Sequence, residues 1–518
     1  MPEPADGHPQ AIRERRQAAL AALEAGDAAA AFVEGTLLIA AGAVGEGLYL
    51  QGLARSAAGD DSAAAGLLEQ AAALLPERAD IAYNLGIIRR DLGQPEAAMA
   101  LWRRVLTLDP AHGDAWASLA AATEDAGDPA GALKLYGAAL AALPADRSLL
   151  YNAADLCFRA GLLRQAEEHY ERLVAIDPGF AAAWLNRGMV LKRLGRFDVA
   201  EACYRAAAAC GDDSDRALAE FNLANLLLLQ GHWSEGFAAY EARLALPEAP
   251  KPDFGLKRWT AATPPGPLLL WSDQGYGDTI QFLRYAPALA ARGQRVRLYL
   301  RDPLKRLATT APGVEAAYGL SDAPPEAAAE LPICSLPAAL GLSDPGPWPG
   351  PYLTAPPPPL LPLHLGKHYR VGLVWAGNPA HINDAHRSLS LADLAPLLAR
   401  TDIEWCSLQT GPRAANAVAA SGLRDLSPLL EDFAATAAVL GTCDLVIAVD
   451  TAIIHLAGAL ERPGWALLPA IETDWRWGTA GETSVWYPSL RLFRQAEPGD
   501  WAPVMAAILA ALETALPR

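Results

Sequence analysis

The first half of the chain repeats one pattern of small, large and helix-ending residues every 34 positions. The residues that keep this spacing are Gly59, Gly93, Gly127, Gly161 and Gly195; Ala64, Ala98, Ala132, Ala166 and Ala200; Leu68, Trp102, Tyr136, Tyr170 and Tyr204; and Pro76, Pro110, Pro144 and Pro178. A sixth period is shifted by two residues and contains Gly231 and Tyr240. The glycine ends a first helix, the alanine lets a second helix approach closely, the large side chain fills the gap to the next period, and the proline stops the second helix. The pattern therefore predicts one helical hairpin per period.

A helical hairpin of 34 residues with these residue types is typical of the tetratricopeptide repeat. We predict about six repeats over residues 45–245, preceded by an alanine-rich helical cap over residues 1–44. Stacked repeats form a superhelix whose concave face is lined by the first helix of each repeat, and such a face suits an extended peptide.

Asparagine recurs at the sixth position of the first helix, with Ser118 in the remaining slot. The members of this row are Asn84, Asn152, Asn186 and Asn222. An amide side chain offers both a donor and an acceptor, so a row of amides can hold a peptide backbone without selecting its sequence. The alternative is that asparagine is simply common at this position of the repeat.

The second half of the chain changes to short apolar runs that alternate with helical stretches. Residues 246–267 are rich in proline and aperiodic, which predicts a linker. We expect strands at 268–272, 295–300 and near 331–336, helices over about 279–292 and 303–311, and then buried parallel strands at 369–377, 403–409, 443–450 and 464–469. These elements predict two Rossmann-like lobes, over residues 268–362 and 363–518, with a ligand cleft between the carboxyl ends of their strands.

Composition narrows the function class. The chain has 518 residues and a net charge of −17, which excludes a general nucleic-acid binder with a basic face. It shows neither the apolar core of a signal peptide nor a span of about 18 uncharged apolar residues, so we expect a cytoplasmic protein without a membrane span. Six cysteines lack C-x-x-C spacing, which favours reduced thiols over a disulfide framework or a metal site.

The stretch DQGYGDTIQF (residues 273–282) follows a predicted strand and opens a predicted helix. It lacks the Lys-Ser/Thr of a phosphate loop and the third glycine of a dinucleotide fingerprint, and it carries a carboxylate at Asp278. A phosphate cradle does not explain a carboxylate at Asp278, which therefore needs another role. One alternative is a helix cap, which a carboxylate can form without any catalysis.

The stretch VIAVDTAIIHLAGAL (residues 446–460) is the strongest local signal for an anion site. A buried strand ends at Val449 and a helix opens at Asp450 and Thr451, so the N–H groups of Ala452 and Ile453 face the cleft. A helix N-terminus attracts phosphate. His455 lies on the same helix face as Thr451 and, as an imidazolium, would neutralise a leaving phosphate. The alternative is an ordinary capped helix with a packed histidine.

A polar loop follows the strand at 369–377 and contains His381, Asn383, His386 and Arg387. The guanidinium of Arg387 is suited to bidentate binding of phosphate. A third stretch, residues 472–495, interleaves four aromatic side chains with arginines. From it we predict that Trp475, Arg476 and Trp477 stack on a sugar or a base, the alternative being an irregular loop that closes the lobe.

The phrases DQGYGDTIQFLRY, VGLVWAGNPAH, SLQ, VDTAIIHLAGAL and DWRW…WYPSLRLFRQ keep their order across residues 268–510. In this respect the second half resembles the glycosyltransferase domain attached to tetratricopeptide repeats in bacteria, which is similar to the heptosyltransferases of the GT-B fold. The resemblance implies an all-α tetratricopeptide superhelix followed by an α/β GT-B domain of two Rossmann-like lobes.

The resemblance also implies roles for single residues. Asp278 would face the acceptor and act as the catalytic base that accepts the proton of its hydroxyl group. The donor side would consist of Asn378, Arg387, Gln409, Asp450, Thr451, Ala452, Ile453 and His455. Ala452 stands where the family usually has glycine, and Arg387 is the nearest match to a phosphate-binding lysine. The contacts to the base do not carry over.

The implied activity is transfer of a sugar from a nucleotide sugar to protein hydroxyl groups, without a required metal or other cofactor. Bacterial proteins of this layout glycosylate flagellin, so the resemblance implies flagellin as the acceptor and a nonulosonic acid, such as a CMP-linked one, or another activated sugar as the donor. Three alternatives remain open: a tetratricopeptide scaffold that has lost catalysis, a nucleotide-sugar 2-epimerase, and a lipopolysaccharide heptosyltransferase-like enzyme.

Overall fold

The computed structural model describes residues 9–361, 369–381, 383–411 and 422–515. The chain divides into two compact units, which we call unit 1 (Met1–Leu194) and unit 2 (Gly195–Arg518). The predicted fold class is confirmed: helices of the tetratricopeptide type are followed by two parallel α/β sheets.

Unit 1 consists of helices that follow one another through short turns. They are α1 (Pro9–Glu24), α2 (Ala28–Ala40), α3 (Val44–Ala57), α4 (Asp61–Leu74), α5 (Ala79–Asp91), α6 (Pro95–Leu108), α7 (Gly113–Asp125), α8 (Pro129–Ala142), α9 (Arg147–Arg159), α10 (Leu163–Ile176) and α11 (Ala181–Arg193). Aspartates at Asp60, Asp128 and Asp146 begin α4, α8 and α9, because each carboxylate accepts the N–H of the third residue after it.

The residues of the 34-residue pattern act locally as predicted. Gly93 and Gly127 end the first helices with φ of 74° and 86°, a conformation that favours glycine. Trp102 is fully buried, and a Cβ on Gly86 would come within 2.5 Å of its indole nitrogen. Ala98 is also fully buried between its helix and its neighbours.

Unit 2 begins with α12 (Phe197–Cys210), α13 (Asp213–Leu229), α14 (Trp233–Ala239) and a 3₁₀ helix over Tyr240–Ala245. The first sheet has the strand order β1-β5-β2-β3-β4 and the second has β11-β10-β9-β6-β7-β8, with every pairing parallel. The strands are β1 (Lys257–Arg258), β2 (Pro267–Trp271), β3 (Arg295–Leu300), β4 (Val314–Gly319), β5 (Ala329–Pro332), β6 (Tyr369–Val374), β7 (Ile403–Ser407), β8 (Arg424–Asp425), β9 (Leu445–Val449), β10 (Gly464–Leu468) and β11 (Leu490–Arg494).

Short helices connect these strands. They are α15 (Tyr276–Phe282), α16 (Ala286–Ala290), α17 (Lys305–Ala308), α18 (Leu336–Ala339), α19 (Asp384–Arg387), α20 (Ala395–Leu398), α21 (Phe433–Leu440), α22 (Ala452–Ala459) and α23 (Ala502–Ala515), with 3₁₀ turns at Leu283–Tyr285, Asp302–Leu304, Ile333–Ser335, Ser427–Leu429 and Trp475–Trp477.

Some predicted elements differ from the observed ones. The strand expected near 331–336 ends at Pro332, and the chain continues as a 3₁₀ turn because Pro337 favours the start of a helix. Residues 257–258, in the segment predicted as a linker, pair with β5. The sequence pattern does not predict β4, β8 or β11. Strand β8 is only two residues long, and β11 lies within the stretch of interleaved aromatic side chains and arginines.

Candidate functional site

A cavity of about 540 Å³ lies at the carboxyl ends of β6, β7 and β9 in unit 2. Most of its lining comes from the loops and helices that follow the second sheet, while Tyr276 and Pro303 come from the first sheet's connections. Of the residues predicted on the donor side, the cavity is lined by Asn378, Gln409, Thr451, Ala452 and Ile453. This cavity lies where the sequence predicts a ligand cleft, at the carboxyl ends of parallel strands.

The N-terminus of α22 faces this cavity without a side-chain cap. Thr451 is extended, with φ of −146°, and its hydroxyl makes no capping hydrogen bond. The Thr451 Oγ1 atom is buried and has no hydrogen-bond partner among the described residues. Since the N–H groups of a helix's first turn lack intrahelical acceptors, Thr451, Ala452 and Ile453 present unsatisfied donors to the cavity. Such a group of donors fits an anion.

The glycine-rich loop before α15 meets α22 directly. A Cβ on Gly277 would lie 2.8 Å from His455 Cδ2, so only glycine lets the imidazole ring approach this closely. Asp278 is the third residue of α15, and its Oδ2 accepts the Gly275 N–H at 2.9 Å. The helix-capping alternative is therefore present in the structure. The other carboxylate oxygen of Asp278, Oδ1, accepts a hydrogen bond from Arg476 in the 3₁₀ turn Trp475–Trp477.

Arg476 is a buried guanidinium that connects the two sheets. It donates to Asp278, to the Gln281 side chain and, at 3.0 and 3.1 Å, to both carboxylate oxygens of Asp474. Its Cζ lies 4.1 Å from the centre of the Trp475 ring. Burial raises the pKa of Asp278 above its ordinary value, and the positive charge of Arg476 opposes that shift.

The His455 side chain is buried. Its Nδ1 is 3.1 Å from the Tyr487 hydroxyl, and its Nε2 is 3.8 Å from Asp450 Oδ1. Burial and the nearby Arg476 charge lower the pKa of His455 to about 3. The lowered pKa opposes the imidazolium expected from the sequence, because burial and the nearby guanidinium both disfavour a charged ring.

Arg387 lies behind the cavity rather than in its lining. Its Nη1 donates to the Asp450 carbonyl at 2.8 Å, and its side chain is 15% exposed. A Cβ on Gly377 would come within 2.6 Å of Arg387 Nη2, so this glycine makes room for the guanidinium. The side chain of Asp450 is partly buried, and burial together with repulsion from Asp474 raises its pKa. Arg387 thus supports the end of β9 that leads into α22.

Gln409 and Asn378 differ in what they can contact. The Gln409 side chain accepts the N–H groups of Trp375 and Ala376 at 3.2 and 3.0 Å and donates to the Ala376 carbonyl. These bonds hold the ends of β6 and β7 together, and Gln409 also lines the cavity, so its role in donor binding stays a prediction. Asn378 is exposed at the cavity, with its Oδ1 accepting the Ala380 N–H at 3.1 Å.

The predicted stacking role of Trp475 and Trp477 is wrong, because both side chains are buried. The Trp475 ring lies 5.7 Å from Trp486 and 6.3 Å from Trp233, within the core of unit 2. Trp477 packs against His455 with ring centres 5.2 Å apart. These rings support the site from behind, and the alternative of a loop that closes the lobe agrees with their burial.

Sequence reasoning missed an aromatic pair at the cavity. Tyr276 and Phe433 come from the two sheets' connections, with ring centres 5.0 Å apart, and both line the cavity. Arg306 and Asp432 form an ion pair of 2.7 Å beside them. Tyr276 is inside the glycine-rich motif and Asp432 caps α21, so the motif and the cap signal mark these positions in the sequence.

The asparagine row of the repeats divides into two kinds. Asn84 and Asn186 donate to the hydroxyl groups of Tyr49 and Tyr151, at 3.0 and 3.1 Å. The predicted peptide-holding role does not fit these two amides, since their donors are already bonded inside unit 1. Asn222 in unit 2 donates to the Leu218 carbonyl at 2.9 Å, and Asn152 lines a separate cavity in unit 1.

In the described ranges, none of the helices combines the length and apolarity that a bilayer crossing requires. Nor do three His, Cys, Asp or Glu side chains of those residues come together as a metal site would need.

Comparisons with known proteins agree with the repeats. Family profiles described as tetratricopeptide repeat match residues 49–113, 87–147, 124–185 and 181–209. Protein FlbA of Caulobacter vibrioides is 27% identical over 395 residues, which cover 66% of this chain and 63% of FlbA. The match therefore spans less than two thirds of FlbA. Since the helices that precede the first sheet end at Ala245, the match also extends into the region of the two sheets.

Several solved structures are similar to part of the chain. MamA from Desulfovibrio magneticus is 20% identical and covers 32% of this chain and 94% of its own, with a TM-score of 0.29. The C-terminal part of a TPR repeat-containing protein from Cytophaga hutchinsonii is 14% identical and covers 46% and 96%, with a TM-score of 0.40. YrrB is 18% identical and covers 35% and 93%, with a TM-score of 0.31. With TM-scores this low, these likenesses support no conclusion about activity.

Proposed function

We propose that this protein is a glycosyltransferase that moves a sugar from a nucleotide sugar to hydroxyl groups of a partner protein held by the repeats. The observation that carries the proposal is the uncapped N-terminus of α22. Its buried Thr451 hydroxyl and its first N–H groups face a cavity of about 540 Å³ between connections of two parallel sheets. Ligand pockets for small molecules have volumes of about 300 to 1,000 Å³.

The donor phosphate would accept hydrogen bonds from the N–H groups of Ala452 and Ile453 and from Thr451 Oγ1. The partial positive charge of a helix N-terminus favours the charge that develops on a leaving phosphate. The His455 ring contacts the Tyr487 hydroxyl, and its lowered pKa disfavours the imidazolium that would neutralise the phosphate. Charge stabilisation in the proposed reaction therefore rests on the α22 backbone.

The proposed step is a substitution at the anomeric carbon of the sugar. The acceptor oxygen forms the new bond, the bond from the anomeric carbon to the phosphate oxygen breaks, and its electron pair leaves with the nucleotide. Asp278 accepts the proton of the acceptor hydroxyl. Its side chain is 22% exposed, and each of its oxygens accepts one hydrogen bond, so a lone pair remains for the proton.

For the acceptor we propose flagellin, and for the donor a nucleotide-linked nonulosonic acid or another activated sugar. The support is the order of the motifs across residues 268–510, which resembles that of the bacterial repeat-linked glycosyltransferases. The cavity lining includes Glu431 and Asp432, whose carboxylates would accept hydrogen bonds from an amino group of a base.

Nucleotide binding tests the donor site. We expect calorimetric titration with CMP, UDP, GDP and ADP to detect one of them, and Thr451→Val to weaken its binding about 10- to 100-fold, because a hydrogen bond to a charged group is lost. The matched control is Thr442→Val, whose hydroxyl donates to the Val439 carbonyl outside the cavity. Equal affinity of the Thr451→Val variant and the wild type would contradict the anion site. Binding of no nucleotide would favour the scaffold alternative.

Intact-mass spectrometry tests transfer. We expect flagellin from cells with Asp278→Asn to lose the sugar mass that wild-type cells add, while the purified variant still binds the nucleotide. A mass shift that persists in the Asp278→Asn strain would reject the base. An unchanged flagellin mass after deletion of the whole gene would reject flagellin as the acceptor.

A further inference from the structure

A chain of hydrogen bonds connects neighbouring repeats in unit 1. A tyrosine on the first helix of one repeat meets a polar side chain 35 residues later, on the first helix of the next. Asn84 Nδ2 donates to Tyr49 Oη at 3.0 Å, and Asn186 Nδ2 donates to Tyr151 Oη at 3.1 Å. At the intermediate repeat, Tyr83 Oη lies 3.5 Å from Ser118 Oγ. The same contact therefore recurs three times.

Asn152 has no such tyrosine partner. The residue 35 positions before Asn152 is Ala117, whereas Tyr49, Tyr83 and Tyr151 stand at the equivalent positions of other repeats. The Asn152 side chain accordingly makes no hydrogen bond to any residue that the structure describes. A cavity of about 400 Å³ lies against this amide and is lined by Arg147, Ser148, Tyr151, Asn152 and Phe180.

The lining of this cavity favours an aromatic ligand group. The rings of Tyr151 and Phe180 are stacked, with centres 5.4 Å apart and planes at 29°. Such a wall offers a face to another ring. Arg147 lies 5.5 Å from the Phe180 ring centre and pairs with Asp177 at 2.5 Å. Because that carboxylate already balances the Arg147 charge, the cavity does not select an anion.

We propose that this cavity is a subsite for the tyrosine side chain of an extended segment of the partner protein. The tyrosine hydroxyl of the ligand accepts a hydrogen bond from the Asn152 amide. The Tyr49 and Tyr151 hydroxyl groups accept the same bond from Asn84 and Asn186. The proposal rests on the proposed role of the repeats as a surface for the partner protein, and it does not depend on sugar transfer.

The test uses the full chain and three pentapeptides, acetyl-Ala-Ala-X-Ala-Ala-amide, with X as Tyr, Phe or Ala. Binding is followed by NMR through the Asn152 side-chain amide signal. We expect the wild type to bind the Tyr peptide about fivefold more tightly than the Phe peptide, since one net hydrogen bond is added, and not to bind the Ala peptide.

Two variants isolate the subsite. We expect the Asn152→Ala variant to bind the Tyr peptide only as tightly as the Phe peptide, as measured by peptide fluorescence. Its thermal stability should not fall, because the Asn152 amide makes no hydrogen bond to the described residues. Ala117→Tyr should give the Asn152 amide a hydroxyl acceptor inside unit 1, so that Tyr peptide binding is lost while the protein stays folded. The matched control is Asn84→Ala, which should lower the stability through the lost Tyr49 bond and leave peptide binding unchanged.

Several results would overturn the subsite: no binding of the Tyr peptide by the wild type, equal Tyr-to-Phe ratios for the wild type and Asn152→Ala, or full binding by folded Ala117→Tyr. If Ala117→Tyr does not fold, the Asn152→Ala ratio decides alone. Nucleotide titration of the same variants separates this from the proposed enzyme, since loss of the peptide site leaves nucleotide affinity intact. An absent nucleotide site likewise leaves the peptide result intact.

Discussion

The Asp278 carboxylate accepts hydrogen bonds from the Gly275 N–H, at the start of its own helix, and from the guanidinium of Arg476, 198 positions along the chain. The bond from the Gly275 N–H orients the carboxylate as in a helix cap, while the positive charge of Arg476 stabilises the ionised carboxylate. Burial raises the pKa of this carboxyl and Arg476 lowers it, so the balance between the two sets the pH at which the proposed base is ionised. Capping and catalysis are therefore compatible roles of one side chain.

At this scale we predict a shift in the pH dependence of transfer. The proposed base must be ionised, so the rate falls as the pH drops through the Asp278 pKa. Arg476→Met removes the charge that lowers this pKa, and the acid limb of the kcat profile should move to higher pH by about one unit or more. Arg476→Lys should keep most of the wild-type profile.

The control for this profile is Arg491→Met, since Arg491 pairs with Glu482 at the surface of β11. If Arg476→Met lowers kcat at every pH without moving the acid limb, Arg476 acts only through packing and does not control the Asp278 charge.

At the scale of elements, α15 and α22 meet at their N-terminal turns although they follow strands of different sheets. The contact depends on Gly277, which leaves space for the His455 ring. This close approach brings Asp278 near the helix that carries the proposed phosphate site. The close packing of the two turns therefore requires a residue without a side chain at position 277.

We therefore predict that Gly277→Ala destabilises unit 2 by about 1–3 kcal/mol, because its Cβ would overlap the buried imidazole. Gly266→Ala is the matched control, since the nearest atom to its Cβ would be 3.8 Å away. Denaturant unfolding followed by tryptophan fluorescence measures both. The double variant Gly277→Ala/His455→Ala should show a favourable coupling energy, and strictly additive effects would argue against this contact.

At the scale of the whole molecule, the chain has two compact units with different kinds of contact. Unit 1 is held by helices that pack against sequence neighbours, as repeat proteins are. Unit 2 depends on contacts between distant segments, such as the buried pair of Arg243 and Asp273 at 2.7 Å. A substitution in the core of unit 1 should therefore change hydrogen exchange in the repeats without changing the nucleotide affinity of unit 2.

We predict that Trp102→Ala loosens α5 to α8 and costs about 3–5 kcal/mol, because it removes a fully buried indole from unit 1. Hydrogen exchange resolved by peptide should show lost protection there, while the nucleotide affinity of unit 2 stays unchanged. Arg103→Ala, on the exposed side of the same helix, should change neither. Lost nucleotide binding by Trp102→Ala would show that unit 2 depends on the repeats.

The sequence alone determined the features that depend on near neighbours. The 34-residue period predicted the helical hairpins because a glycine turn and an alanine contact act within one or two repeats. The same is true of the α22 N-terminus, which follows directly from a strand that ends at Val449. The two-sheet class was also predictable, since buried parallel strands appear as continuous apolar runs.

Only the tertiary structure decided which side chains face the cavity and what charge they carry. The sequence predicts that Trp475 and Trp477 stack on a ligand, because aromatic composition does not show whether a side chain is buried or exposed. Their burial depends on residues distant in the sequence, such as Trp233 beside Trp475. The lowered pKa of His455 likewise depends on Arg476, 21 positions along the chain, and on burial by both sheets' connections. These properties come from long-range packing, which no local spacing of residues specifies.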